Sequence, residues 1–140
     1  MWTYIDDDNR AILFGDHSMT GGVSMNFERK SGGAFRYYHG ADISGQSFSK
    51  TIIPYGAWAM ITFTSDGTKI KSYINGVPKD EYTYTPTIIK NSGVMRIGRD
   101  NRSDYTALAG RIADFRWYGT ALTENDVSIL YRSFASVDND

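Results

Sequence analysis

The chain has 140 residues, 41% of them hydrophobic and 22% charged, with a formal net charge of -1. That length is a single domain able to bury roughly two thirds of its unfolded surface, and the charge balance gives no electrostatic drive toward nucleic acid or an anionic membrane. The absence of cysteine removes disulfides, thiolate metal sites and thiol nucleophiles together, without fixing the compartment.

Trp2-Thr3-Tyr4-Ile5 reads as a short strand, stopped by Asp6-Asp7-Asp8-Asn9. This start has neither a basic region nor an apolar signal core, so either the chain is not exported by that route or it is an excised piece of a larger protein. Arg10 to Phe14 is a second strand, ended by Gly15-Asp16-His17-Ser18. Val23 to Glu28 alternates apolar and polar residues, the period of a half-buried strand. Ser31-Gly32-Gly33 turns into a strand over Ala34 to His39. Gly40 to Tyr55 is weakly patterned and predicts mostly loop with one short strand.

Ala57 to Thr64 is a strong strand, and Asp66-Gly67 is a hairpin turn leading into Lys69 to Ile74. Asn75-Gly76 is a second tight turn, followed by a strand over Val77 to Tyr84 in which Pro78 marks an edge or an irregular start. Val94 to Gly98 is predicted as a strand, Arg99 to Ala107 as a polar loop, and Leu108 to Tyr118 as one long strand. A helix then follows. Thr123 is its N-cap, Asp126 sits three residues on, and Val127, Leu130, Tyr131 and Phe134 form one apolar stripe. No apolar run approaches the roughly 20 residues of a membrane helix. Many short strands joined by turn signals predict an all-β sandwich.

Gly56-x-Trp58, Asp66-Gly67, Tyr73-x-Asn75-Gly76, Ile97-Gly98 and Gly110-x-Ile112-x-Asp114-x-Arg116-x-Tyr118-x-x-Ala121-Leu122-Thr123 occur in that order. The order and spacing, over residues 56 to 131, resemble the LamG-like (laminin G-like) branch of the concanavalin A-like lectin/glucanase superfamily. The resemblance implies a jelly-roll β-sandwich of two antiparallel sheets with one short C-terminal helix. It also implies a non-catalytic module that binds glycans or proteins, as in adhesins, enzyme appendages and phage tail proteins. Family domains carry a strand upstream of the one that Trp2 begins, so residues 1–140 are expected to be a single domain excised from a larger protein and lacking its first strand. The backbone left unpaired is an expected route to homo-oligomers.

Glucanase relatives set acidic residues alternately on one strand, so that two carboxylates face one sugar. The alternating acidic pair here, Asp6 and Asp8, lies in a turn-like run, and Gly-x-Ser-x-Gly, HExxH and phosphate-loop motifs are absent. No enzymatic role is expected. His17 and His39 lie in separate predicted loops without a partner at ligand spacing, which favours solvent exposure over zinc or base chemistry. Asp6-Asp7-Asp8-Asn9 and Asp100-Asn101-x-x-Asp104 offer hard oxygen ligands, so calcium is a candidate ion, though no cofactor is required and the same residues are favoured turn formers.

Asp114 and Arg116 are expected on one strand face, tethering that strand to its neighbours, while Trp58, Phe63, Phe115 and Trp117 are expected in the core. A sugar site calls for Tyr or Trp stacked on a flat sugar face, with Asp, Asn and Arg satisfying its hydroxyls. Two candidate rims meet that description: Tyr37, Tyr38 and His39, and Asp100, Asn101, Arg102, Asp104 and Tyr105 on the polar loop. The expected partner is a glycan or a cell-surface protein, with no nucleic acid and no membrane insertion. The expected setting is extracellular, at a cell surface or on a virion.

Overall fold

The computed structural model describes residues 1–17, 25–39, 42–84, 94–102 and 107–135. Among the described residues ten strands form two five-stranded sheets: β1 (Trp2–Ile5), β2 (Ala11–Gly15), β3 (Met25–Arg29), β4 (Ala34–His39), β5 (Asp42–Ile52), β6 (Trp58–Ser65), β7 (Lys69–Ile74), β8 (Val77–Thr83), β9 (Arg96–Ile97) and β10 (Gly110–Ala113). The first sheet runs β10-β1-β6-β7-β8 and the second β5-β4-β3-β2-β9, with every neighbouring pair antiparallel. This is the expected sandwich, closed by one helix, α1 (Glu124–Ala135).

Alternation decides what each sheet buries. From β3 and β4, Phe27, Phe35 and Tyr37 point inward, while Ala59, Ile61 and Phe63 do so from β6. The two layers meet in an aromatic stack. The Phe35 and Phe63 rings lie 4.1 Å apart and Phe27 sits 4.9 Å from Phe63. Packing of this kind adds about 0.5–1.5 kcal/mol per aromatic pair beyond the area buried.

The helix lies on the outer face of the first sheet. Val127 is fully buried against Met60 and Tyr73, and Trp2 stacks on Tyr131 at 5.8 Å. Its start is a reciprocal cap: Asp126 N–H donates to Thr123 Oγ1 at 3.1 Å, and Thr123 N–H donates to Asp126 Oδ2 at 2.9 Å. The Asn75-Gly76 hairpin passes directly beneath. Both residues have positive φ (52° and 77°), and a Cβ on Gly76 would come within 2.9 Å of Tyr131 Cβ. Gly110 serves a different need. A Cβ there would sit 2.0 Å from the Tyr4 carbonyl oxygen, so only glycine lets β10 pair closely with β1.

Two of the expected strand boundaries fail. The stretch predicted as mostly loop contains β5, eleven residues long and paired with β4 across two register shifts. Its polar sequence suffices because β5 is a sheet edge, needing few inward anchors such as Phe48. Conversely, the predicted long strand from Leu108 to Tyr118 is ordered as strand only over Gly110–Ala113. Asp114 takes φ of 50°, a left-handed conformation that ends the ladder.

Candidate functional site

Tyr37 and Tyr38 are adjacent on β4 and therefore face opposite ways. Tyr37 enters the core, 3% exposed and 4.9 Å from the Phe27 ring, and burial raises its phenol above the ordinary range. It forms no rim. Tyr38 points outward but is also buried: its hydroxyl donates to Glu28 Oε1 at 3.1 Å and accepts from Arg36 Nη1 at 3.0 Å. His39 ends β4 opposite Met25, and its side chain lies outside the described set.

The second predicted rim also folds inward. Arg102 N–H donates to Asp100 Oδ1 at 2.9 Å, its Nε donates to Oδ2 at 2.8 Å, and its Nη2 donates to the same oxygen. Asn101 Nδ2 donates to the carbonyls of Asp16 and Val94 at 3.0 and 2.9 Å, tying the loop to β2's end. Asp104 and Tyr105 lie outside the described residues.

The two rims nevertheless meet, at a residue that the sequence did not single out. Glu28 on β3 is fully buried. Arg10 Nη2 lies 2.6 Å and Arg102 Nη2 3.6 Å from its Oε2, and Arg36 Nη1 lies 3.9 Å from its Oε1. Three guanidiniums thus face two carboxylates, Glu28 and Asp100, on the outer side of the second sheet. Charges removed from water need such partners. The ring of His17 packs 5.5 Å from Tyr38 beside this knot, and burial, then Arg102, lowers its pKa. His17 is therefore not the exposed loop histidine expected. The one sequence signal for Glu28 was its place on the polar parity of an alternating strand.

A more open constellation lies on the outer face of the first sheet, beyond the helix. Tyr4 pairs in register with Trp58 on one side and Arg111 on the other, so three strands present three side chains on one face. The Tyr4 and Trp58 rings are 5.8 Å apart at 64°, and the Arg111 guanidinium lies 4.4 Å from the Tyr4 ring. Asp6 completes the group, 3.8 Å from Arg111. Trp58 is 44% exposed, contrary to its expected place in the core. The reason is parity: Ala59 and Ile61 take the inward positions, Met60 is roofed by the helix, and Trp58 falls past the helix's reach.

The acidic run beside this group is already engaged. Asp7 accepts from the backbone and side-chain amides of Asn9 at 2.9 and 2.8 Å, and Asp8 pairs with Arg29 at 2.5 Å. The hydrogen bond from Arg29 lowers the pKa of Asp8. A carboxyl so held is a poor proton donor, and Asp6 and Asp8 answer to different arginines rather than to one sugar. Among the described residues no group of three or more His, Cys, Asp or Glu side chains gathers to hold a metal.

Between the layers runs a cavity of about 770 Å³, bordered by β6, Phe14, Phe27, Phe115 and Trp117. Trp117 is 64% exposed with its ring 5.7 Å from Phe14, so it lines the mouth instead of filling the core. Phe63 and Phe115 are partly buried against the core, nearer to expectation. Arg116 Nε donates to Asp114 Oδ1 at 2.7 Å, and its guanidinium lies 4.8 Å from the Phe134 ring. The pair ties this segment to itself and to the helix.

A laminin G-type model of the concanavalin A-like lectin/glucanases superfamily matches residues 1–128. Among solved structures, the chain is similar to the SAP-like pentraxin of Limulus polyphemus, with TM-score 0.71, 19% identity, and coverage of 93% of this chain and 66% of that one. It is similar to Trypanosoma rangeli sialidase at TM-score 0.70 and 14% identity, over 99% of this chain and 23% of that one. It is also similar to the binding domain of botulinum neurotoxin serotype D at TM-score 0.66 and 15% identity, over 94% and 35% respectively. The chain therefore spans less than two thirds of the length of each. No curated protein matches it in sequence.

Proposed function

The chain belongs to the concanavalin A-like lectin/glucanase superfamily, and on that premise we propose that it is a non-catalytic recognition module whose ligand is a carbohydrate. Its setting would be a larger surface, secreted or phage-tail protein. The observation that carries this reading is the exposed group of Trp58, Tyr4, Arg111 and Asp6. An indole at a sheet surface offers a flat apolar face to the C–H side of a sugar ring. Beside it, a guanidinium donor and a carboxylate acceptor stand ready for hydroxyls. All but Asp6 issue from paired strands, so little ordering is required on binding.

The similarity to a pentraxin and to a toxin binding domain supports a binding role, and the engagement of Asp8 by Arg29, apart from Asp6, weighs against hydrolysis. Among the described residues no helix is long and apolar enough to cross a membrane. A glycan array probed with the wild-type chain, Trp58→Ala and Tyr105→Ala, each with calcium and with chelator, tests the reading. Binding that Trp58→Ala abolishes supports the sheet-surface site. Loss confined to Tyr105→Ala places the site on the polar loop instead. No binding to any glycan favours a structural or protein-interaction module, and release of reducing sugar would reinstate a glycoside hydrolase.

A further inference from the structure

The exposed group around Trp58 has a counterpart a short step along the same two chain segments. Gly56 N–H donates to Ile5 O at 2.7 Å, so the track that pairs Trp58 with Tyr4 reaches back beyond β6 into residues 55–57, all exposed as Trp58 is. Beside it, β1 runs out into Asp6, Asp7 and Asp8. Along these segments one combination of groups occurs twice. Trp58 is grouped with Tyr4, Arg111 and Asp6, and Tyr55, 55% exposed, is grouped with Arg29 and Asp8.

The second combination is firmly held. Arg29 Nε donates to Ile53 O and Nη1 to Asn9 O, both at 2.9 Å, and Nη2 donates to Asp8 Oδ1. At 1% exposure this guanidinium reaches no ligand, so Arg29 is a positioning residue. It fixes the half-exposed Asp8 carboxylate, and its central carbon lies 5.9 Å over the Tyr55 ring, a cation–π contact that backs one aromatic face. An ionised carboxylate with one oxygen so engaged keeps acceptor positions for a hydroxyl. Three residues of chain separate Tyr55 from Trp58, a span of at most about 11 Å and longer than one pyranose ring. Between them stand only Gly56 and Ala57, and a Cβ on Gly56 would meet nothing within 4 Å. No bulky side chain divides the two aromatic faces.

We infer that the ligand of this surface is an extended oligosaccharide gripped along its chain, with one ring on Trp58 and a further ring on Tyr55. The inference rests on the carbohydrate reading above and names the class of glycan. A repeated set of aromatic face and carboxylate suits a polymer of like units, because each unit offers the same C–H face and hydroxyls again. A single terminal sugar would use one set and leave the other idle. Asp6 and Asp8, which answer to different arginines, then serve successive rings. The Gly56–Ile5 hydrogen bond and the β1–β6 pairing hold both platforms in place before the ligand arrives.

The probes are gluco-, galacto-, manno-, xylo- and N-acetylglucosamine oligosaccharides, each as a length series from a single ring upward, titrated by calorimetry. In a series that binds, affinity should rise about tenfold from the shortest to the longest member, the gain of one further stacked ring. Tyr55→Ala should remove that rise and leave affinity for the shortest member unchanged. Tyr55→Phe keeps the flat face and should retain the rise, whereas Trp58→Ala should weaken every length. Equal affinity at all lengths overturns the inference and leaves the carbohydrate reading standing. A rise with length that survives Tyr55→Ala also overturns it. Failure of every series to bind the wild-type chain overturns the carbohydrate reading itself, and the inference with it.

Discussion

The Tyr38 hydroxyl donates to Glu28 Oε1 at 3.1 Å, across two neighbouring strands that also set Arg36 and Asn26 on the outward face. Through that carboxylate, β2's approach (Arg10), β4 (Arg36) and the 99–102 loop (Arg102) are held at one point. Glu28→Gln leaves the guanidiniums without their shared counter-charge, and a loss of about 3 kcal/mol, the lower end for breaking a buried pair, is expected because Arg10 and Arg36 are partly hydrated. Tyr38→Phe should cost about 1.5–3 kcal/mol, the range for a hydrogen bond to a charged group. Urea denaturation of the two variants checks both values.

Trp58→Ala should weaken glycan binding at least tenfold while scarcely moving the thermal midpoint, since the indole is 44% exposed. Phe35→Ala is the contrasting control. Its ring is fully buried between Phe27, Phe48 and Phe63, and its removal should cost about 3–5 kcal/mol. Calorimetry on both variants separates a surface role from a packing role.

His17 should make stability fall on mild acidification. Burial, and then Arg102, depress its folded pKa below the ordinary 6.5, so the unfolded chain binds a proton first as pH drops. The associated stability is complete above about 6.5 and is lost as pH falls toward the folded value. Denaturation midpoints between pH 7.5 and 5 should decline for the wild-type chain, and His17→Gln should flatten that part of the profile.

Asp66 should titrate low despite full exposure. Its Oδ1 accepts from Thr68 N–H, Thr68 Oγ1 and Lys69 N–H, each at 2.8 Å, and these donors bring its pKa to about 2. Hydrogen bonding to the ionised form is the cause. A carboxyl carbon titration by NMR should place its midpoint well below those of unpaired aspartates.

Gly76→Ala should destabilise by more than about 1 kcal/mol, because a positive-φ backbone and a close neighbour both oppose the methyl. The clash falls on Tyr131, so helical signal near α1 should be lost along with global stability. Thr123→Ala removes the reciprocal cap and should cost about 1 kcal/mol by the same measurement.

Strands with an apolar inward parity were legible in the sequence, as over Lys69–Ile74 and Ala34–His39, because period two and glycine turns are local properties. β5 was not, since a polar edge strand makes few demands on composition. The overlong reading past Ala113 has a related cause. Phe115 packs against the core and Trp117 lies on the Phe14 ring while Arg116 turns to the helix, so alternation continues after Asp114 has ended the ladder. At the surface, parity correctly sets Trp58 and Met60 on one face, but only the docking of a distant helix decides which is covered. The charged knot was illegible for the same reason: residues 10, 28, 36, 100 and 102 meet solely through tertiary pairing.

Gly110 has a reach beyond its own strand. By letting β10 approach Tyr4, it fixes how far Arg111 stands from the ring that its guanidinium covers. The spacing of donor and aromatic face is thereby set by main-chain contact, not by side-chain choice. A methyl at residue 110 would meet the Tyr4 carbonyl, not a side chain of the group, yet it would widen the interval between the two groups. The geometry of this face is accordingly a property of strand separation, open to change from a position outside the exposed group.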